Sequence, residues 1–422
     1  MSTIQFLVLL ITWLSTARSV VSIDVTVSTD AYTHTVPADT IHTHTVSTDE
    51  YTHTASTDIE LPAGSLKPSN GLSKEDKKLW DIYRNLTYIQ QFYILPPICV
   101  IGITGNILVA VAIYKTSEKS NSSYIYLFSH TIAHILSLLS DSLVPVSKLL
   151  GMLEGDQWQQ ISIEMYFWCQ KFINSTFRNM AFNILCVMSI ERVIAIKYPL
   201  KLTFSATVNH PYPFIFLSAI VGILPQVIVS VFIATKQVFD SNTNATKYVR
   251  ANTELYFRNE EINDKIMMIV KLLTGPLQII FFCVTNAMIL HGLFLNQKYL
   301  KTIKMNTITR LQNAKKLQVK MCKIFLVLCI VNILSNLPKS LTIIIATMFP
   351  ALGMKVGSPV LVISAQAGYL LRIINSAFDF IILIVMSSKI RRRVKRYFVP
   401  GVTQAGTPEC STEVQTTEMS IT

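Results

Sequence analysis

The chain has 422 residues, half of them apolar and only 15% charged, which is too apolar for one soluble domain and too long for a single transmembrane hairpin. Its formal charge of +12 sits in short basic segments between apolar runs, not on one polar helix face, which points to membrane topology and away from nucleic acid. The 7 cysteines are spread singly with no CxxC and no Cys/His cluster, so neither a zinc scaffold nor a disulfide framework is encoded, and no metal or cofactor is expected.

In chain order, Ile4 to Leu14 is an apolar run followed by the small residues Ser15-Thr16-Ala17, read as a secretory signal peptide over residues 1–17. Residues 18–91 are expected to form a disordered extracellular segment. Its phrase Ser28-Thr29-Asp30-Ala31-Tyr32-Thr33-His34-Thr35 returns as Ser47-Thr48-Asp49-Glu50-Tyr51-Thr52-His53-Thr54, with too few aliphatic side chains to bury a core. Residues 92–386 then hold seven apolar stretches, at Phe92–Tyr114, Tyr124–Leu150, Glu164–Ile196, Phe214–Thr235, Ile266–Leu295, Met321–Met348 and Pro359–Met386. Each can cross about 30 Å of hydrocarbon at about 1.5 Å per residue as a helix, the form that satisfies backbone groups within the segment. The fold class expected is an all-α membrane protein, a seven-transmembrane helix bundle. A short amphipathic cytoplasmic helix over residues 387–398 and a disordered cytoplasmic tail over 399–422 follow.

Orientation follows from loop charge. Lys298, Lys301, Lys304, Arg310, Lys315, Lys316 and Lys320 lie between the fifth and sixth spans with no acid, and Lys389 to Arg396 follow the seventh, which places both segments inside. The amino terminus is then outside and the protein is expected in the plasma membrane. The sequons at Asn85 and Asn244 fall on the outer side as glycosylation candidates, whereas those at Asn121 and Asn174 fall where glycosylation cannot reach.

The third span ends in Glu191-Arg192-Val193-Ile194-Ala195-Ile196-Lys197-Tyr198-Pro199-Leu200. An acid and an arginine at the end of a membrane helix form a pair whose dielectric changes when neighbouring helices part, which suits a switch. This run resembles the Asp/Glu-Arg-Tyr signature, with its following Pro-Leu, of rhodopsin-like (class A) G-protein-coupled receptors. Gly105-Asn106-Ile107-Leu108-Val109 resembles the first-span signature, and Pro276 stands at the fifth-span proline. Asn375-Ser376-Ala377-Phe378-Asp379-Phe380-Ile381-Ile382-Leu383 is similar to the seventh-span segment, with Phe380 for its proline and Leu383 for its tyrosine. Ser335-Asn336-Leu337-Pro338 keeps the sixth-span proline without the tryptophan, a form similar to that of invertebrate neuropeptide receptors of the FMRFamide type. His134 stands at the sodium-site aspartate, and no cysteine is available to bridge Cys169 to the second outer loop. The resemblance covers about residues 92–398 and implies a receptor, not an enzyme, with Glu191, Arg192, Asn106, Pro338, Asn375 and Asp379 as activation-switch positions. It implies an extracellular neuropeptide-like ligand and a heterotrimeric G protein as partners. The hydroxyl-rich tail would bring in an arrestin-type partner once phosphorylated, and the basic inner segments would contact anionic lipids.

Ionisable groups within spans are costly and mark function. Arg178, Lys271, Lys339 and Arg372 all fall in the outer half of the bundle, opposed at comparable depth only by Asp141. These five are the ligand-binding candidates, read as a cationic pocket for a carboxylate, an acidic side chain or a sulfate; internal pairing of the lysines with Asp141 is the alternative. Two other functions remain open: a transporter or channel with a relay through Asp141, His134 and Asp379, and a receptor that binds without signalling.

Overall fold

The computed structural model describes residues 74–115, 122–153, 155–197, 210–240, 245–302, 309–348 and 359–398. The expected signal peptide, the repeat segment, the tail, Asn121 and Asn244 lie outside the described residues.

The first helical stretch is α1 (Lys74–Ile89), a π-helical turn at Gln90–Ile94 and α2 (Leu95–Tyr114). After α3 (Ser122–Leu150), a second continuous stretch comprises α4 (Asp156–Tyr166), a π-helical segment Phe167–Asn174 and α5 (Ser175–Lys197). Next, α6 (Pro211–Phe232) runs into an antiparallel hairpin of β1 (Ile233–Asp240) and β2 (Ala245–Asn252). The short α7 (Glu254–Arg258) and α8 (Glu260–Leu273) precede α9 (Pro276–Thr302), α10 (Thr309–Met348), α11 (Pro359–Met386) and α12 (Ser388–Phe398). Pro211, Pro276 and Pro359 each stand first in their helix, where the missing N–H has no intrahelical partner to lose.

Two expectations need correction. Residues 74–91, expected to be disordered, are helical, because Tyr83, Thr87, Gln90 and Gln91 form a buried face and Gln366 of α11 donates to Gln90 Oε1 at 2.9 Å. The fourth span stops at Phe232, not Thr235, because Ile233 turns to extended backbone (φ −121°, ψ 126°) and starts the hairpin. The seventh span runs from Pro359 to Met386 as expected.

Among the described residues, six helical stretches are long and apolar enough to cross a membrane: 77–114, 122–150, 211–232, 260–295, 322–345 and 362–386. The stretch that ends in α5 falls below that threshold because Asn174, Arg178, Asn179 and Asn183 dilute it. It tolerates them because α5 packs against α3, α6, α9 and α10, so its polar side chains meet protein. The distribution of side chains is that of a membrane bundle: Phe216, Leu224, Ile280, Phe294 and Leu334 are exposed while His130, Asp141, Glu191 and Asp379 are buried.

Packing between α2 and α11 is close. A Cβ on Gly102 would sit 2.7 Å from the Ala377 backbone, so that position admits only glycine, and one on Gly105 would overlap the Phe380 ring and force it to move. Asn106 Nδ2 crosses the same seam to Ser376 O at 3.0 Å and also bonds Gly102 O at 2.8 Å. At one end of the bundle, α12 buries Ile390 and Val394 and exposes Arg391, Arg392, Lys395 and Arg396, while Arg393 donates to Lys115 O. The other end carries the hairpin, footed on Phe232, Tyr256 and Met267. Tyr256 donates to Asp264, and burial together with that carboxylate raises its phenol above the ordinary range, so it stays a neutral donor. Asn263 fixes the same corner by donating to Tyr256 O at 2.9 Å and Leu255 O at 3.2 Å. These contacts hold the loop without a disulfide; Cys169 is a free thiol.

Candidate ligand cavity and polar switch network

At the hairpin end the helices enclose a cavity of about 640 Å3 that reaches from Ile233 and Tyr248 of the hairpin down to His134, Asn332 and Asn375. Its wall carries Arg178, Lys271, Lys339 and Arg372, the four cations singled out in the sequence. Lys148 and Lys171 join them, and no aspartate or glutamate lines the wall among the described residues. Lys148 was not legible as a site residue because it follows Pro145 near the end of α3, where it reads as a snorkelling charge; here its Nζ lies 5.1 Å over the Tyr166 ring.

The fifth candidate, Asp141, does not line the cavity. It is fully buried on α3 and pairs with Arg178, Nη2 to Oδ2 2.6 Å. Its Oδ1 accepts from Tyr369 Oη at 2.9 Å and from Asn174 Nδ2. Ser137 braces both partners: its Oγ donates to Asn174 Oδ1 at 2.9 Å and accepts from Arg178 Nε at 3.2 Å. The guanidinium lies 5.4 Å over the Tyr369 ring. Internal pairing of Asp141 therefore goes to Arg178, not to Lys271 or Lys339. Arg178 is a cation already neutralised where it meets the cavity, and Lys271, Lys339 and Arg372 stand elsewhere on the same wall.

At the foot of the cavity, Asn375 Nδ2 donates to Asn332 Oδ1 at 3.1 Å and Asn332 Nδ2 bonds Leu328 O at 3.1 Å, tying α11 to α10 about one helical turn and a half before Pro338. Asn336 Nδ2 bonds Asn332 O at 2.8 Å, supporting the stretch that the proline leaves without an N–H. Asn332 escaped notice in the sequence, although Asn-x-x-x-Asn-x-Pro puts both amides on one helix face. Asp379 faces His134 and also His130, which stands in an i, i+4 relation to His134 on α3.

At the α12 end, Glu191 and Arg192 are both buried but only loosely paired, Oε1 to Nη2 3.8 Å. Neighbouring residues on a helix do not face each other. Each is held instead by the first turn of α3: Ser122 Oγ donates to Glu191 Oε1 at 2.8 Å and Arg192 Nη2 donates to Ser123 Oγ. The expected two-residue latch is a four-residue one, with Ser122 and Ser123 supplying its other half. Asn85 is exposed on α1.

The sequence profile of the 7 transmembrane receptor (rhodopsin family) matches residues 105–390, which takes in all of these features from Asn106 to Asp379. The chain belongs to that family. No curated protein sequence matches the receptor. Solved structures do: squid rhodopsin superposes with a TM-score of 0.55 at 14% identity, over 77% of this chain and 89% of that one, which shows a shared fold. The receptor is thus a non-enzymatic, multi-pass membrane protein that couples an extracellular ligand to G proteins. The transporter alternative loses its basis with the family shown, and Asp141 and Asp379 belong to separate networks.

Proposed function

We propose that the receptor resides in the plasma membrane with its amino terminus outside and binds an anionic, neuropeptide-like ligand in the hairpin-end cavity. The observation that carries this reading is a wall with six basic side chains and no acid among the described residues. Lys271, Lys339 and Arg372 then take a carboxylate, acidic side chain or sulfate through charge-assisted bonds. Ligand binding favours the state in which α10 swings about Pro338 and the latch of Glu191 and Arg192 with Ser122 and Ser123 parts. Asn106, Asn375 and Asp379 keep α2, α3, α10 and α11 in register during that change. Asn85 and Asn244 are glycosylation sites, the tail recruits an arrestin-type partner and α12 lies on anionic lipid.

The test pairs acidic or sulfated peptides with neutral analogues of the same sequences on cells carrying a promiscuous G-protein reporter. Activation by the acidic members alone is expected, with potency lowered about tenfold or more by Lys339→Ala or Arg372→Ala at unchanged surface expression. Equal activation by neutral or basic peptides would refute the anionic pocket. A second reading, binding without signalling, draws on Phe380 filling the space over Gly105 where the family has proline; binding of an acidic peptide with no nucleotide exchange would favour it.

A further inference from the structure

Three buried side chains converge in mid-bundle at the floor of the cavity. His134 Nε2 lies 3.1 Å from His130 Nε2 and 3.0 Å from Asp379 Oδ2, and His130 Nε2 lies 3.4 Å from the same oxygen. His130 and His134 are one turn apart on α3, and Asp379 faces them from α11. All three side chains are at most 4% exposed.

Hydrogen bonding alone leaves this cluster unsatisfied. His130 Nδ1 lies 3.2 Å from Ala181 O, and a carbonyl only accepts, so Nδ1 carries the proton and Nε2 presents a lone pair. The one remaining hydrogen, on His134 Nε2, is then faced by two acceptors, His130 Nε2 and the Asp379 carboxylate. Directed at His130, it leaves both Asp379 oxygens without a well-placed donor. A buried carboxylate in that condition is expensive.

We propose that His130, His134 and Asp379 form a binding site for a divalent transition-metal ion of the zinc class. Ligand atoms held about 2.0–2.1 Å from a tetrahedral zinc ion lie about 3.3 Å from one another, close to the three separations in this cluster. Two imidazole nitrogens with one carboxylate suit zinc and its neighbours; hard cations such as sodium, calcium or magnesium prefer an all-oxygen shell. The Ala181 carbonyl is the outer-shell acceptor that fixes a ligating imidazole in the Nε2 tautomer. On binding, His134 takes the tautomer with its proton on Nδ1, which frees the Nε2 lone pair, and one carboxylate with two neutral imidazoles holds the ion. The fourth position takes a water, and the cavity supplies the route for both, since His134 is part of its wall. An occupied site ties α3 to α11 directly beneath the proposed ligand pocket, although the site itself does not depend on what that pocket binds.

The test uses the full-length receptor in detergent, stripped with a chelator and titrated with Co2+ and then Zn2+, with no agonist present. The expected result is a four-coordinate Co2+ absorption band that saturates and is displaced by Zn2+, together with a melting temperature that rises with Zn2+ but not with Na+ or Mg2+. His134→Gln and Asp379→Asn should each weaken the band-forming site about tenfold or more, while His291→Gln, an exposed histidine on α9, leaves it unchanged. The amino-terminal histidines are present in every variant, so the wild-type minus His134→Gln difference isolates this site. X-ray absorption of the zinc-loaded wild type gives a readout independent of how variants fold, with two imidazole ligands expected. Absence of the band, a band unchanged in His134→Gln, stabilisation by Na+ in place of Zn2+, or a zinc shell without imidazole would each overturn the proposal.

Discussion

Asp141 and Asp379 are both fully buried, both face basic side chains across α3, and yet are treated oppositely. Asp141 is met by a guanidinium, a phenol and an amide, each with its own proton to give. Asp379 is met by two imidazoles that have only one proton, on His134 Nε2, left to direct at it. The first arrangement is complete and serves as structure; the second is complete only when a further cation enters. Burial of an acid therefore says little about its role until the donors around it are counted.

The largest effect is expected where the complete network is broken. Asp141→Ala leaves Arg178 charged and unpartnered by carboxylate inside the bundle, which costs about 3–5 kcal/mol, read as a lower melting temperature in detergent and poor surface expression. Asp379→Asn should do the reverse: Co2+ affinity falls about tenfold or more, while the metal-free melting temperature stays near that of the wild type, because the carboxylate and His130 Nε2 compete for the one hydrogen on His134 Nε2 and an amide at this position brings hydrogens of its own. If the two variants destabilise the metal-free receptor equally, the contrast fails. Asn332→Ala, which cuts the link from α11 to α10, should cost about 0.6–1.7 kcal/mol in the same melting assay. Ser137→Ala is expected to cost least, about 0.5 kcal/mol, since Asp141 keeps all three of its donors.

Much of the bundle was legible because the membrane imposes a simple rule on sequence. A run such as Pro359 to Met386 must be helical from end to end, and it is. The rule fails where polar side chains are buried against protein: Thr87, Gln90 and Gln91 read as solvated, so the helix before Phe92 was missed. It also has nothing to say about Ile233 to Asn252, where β-branched residues continue the apolar run but the chain extends into a hairpin. The cavity's cations stood out because charge is rare within spans, yet their pairing did not. That Asp141 would take Arg178 in preference to Lys271 or Lys339 depends on helix rotation, and one residue of error moves a side chain about 100°. The serines of the latch and the amides at Asn332 were silent for a related reason: small polar residues occur everywhere in such helices. His130 and His134 carried the clearest unread signal, a four-residue spacing that puts two imidazoles on one face.

The length of α10 has a mechanical meaning. Its 40 residues make a rod of about 60 Å, roughly twice the thickness of the hydrocarbon layer. Pro338 stands nearer one end, so about 44 Å of helix extends from it to Thr309. A tilt of about 10° at the proline, well within what such kinks absorb, carries the far tip through about 8 Å. Modest rearrangement beside Lys339 is therefore magnified into a displacement the size of a side chain at the opposite membrane face.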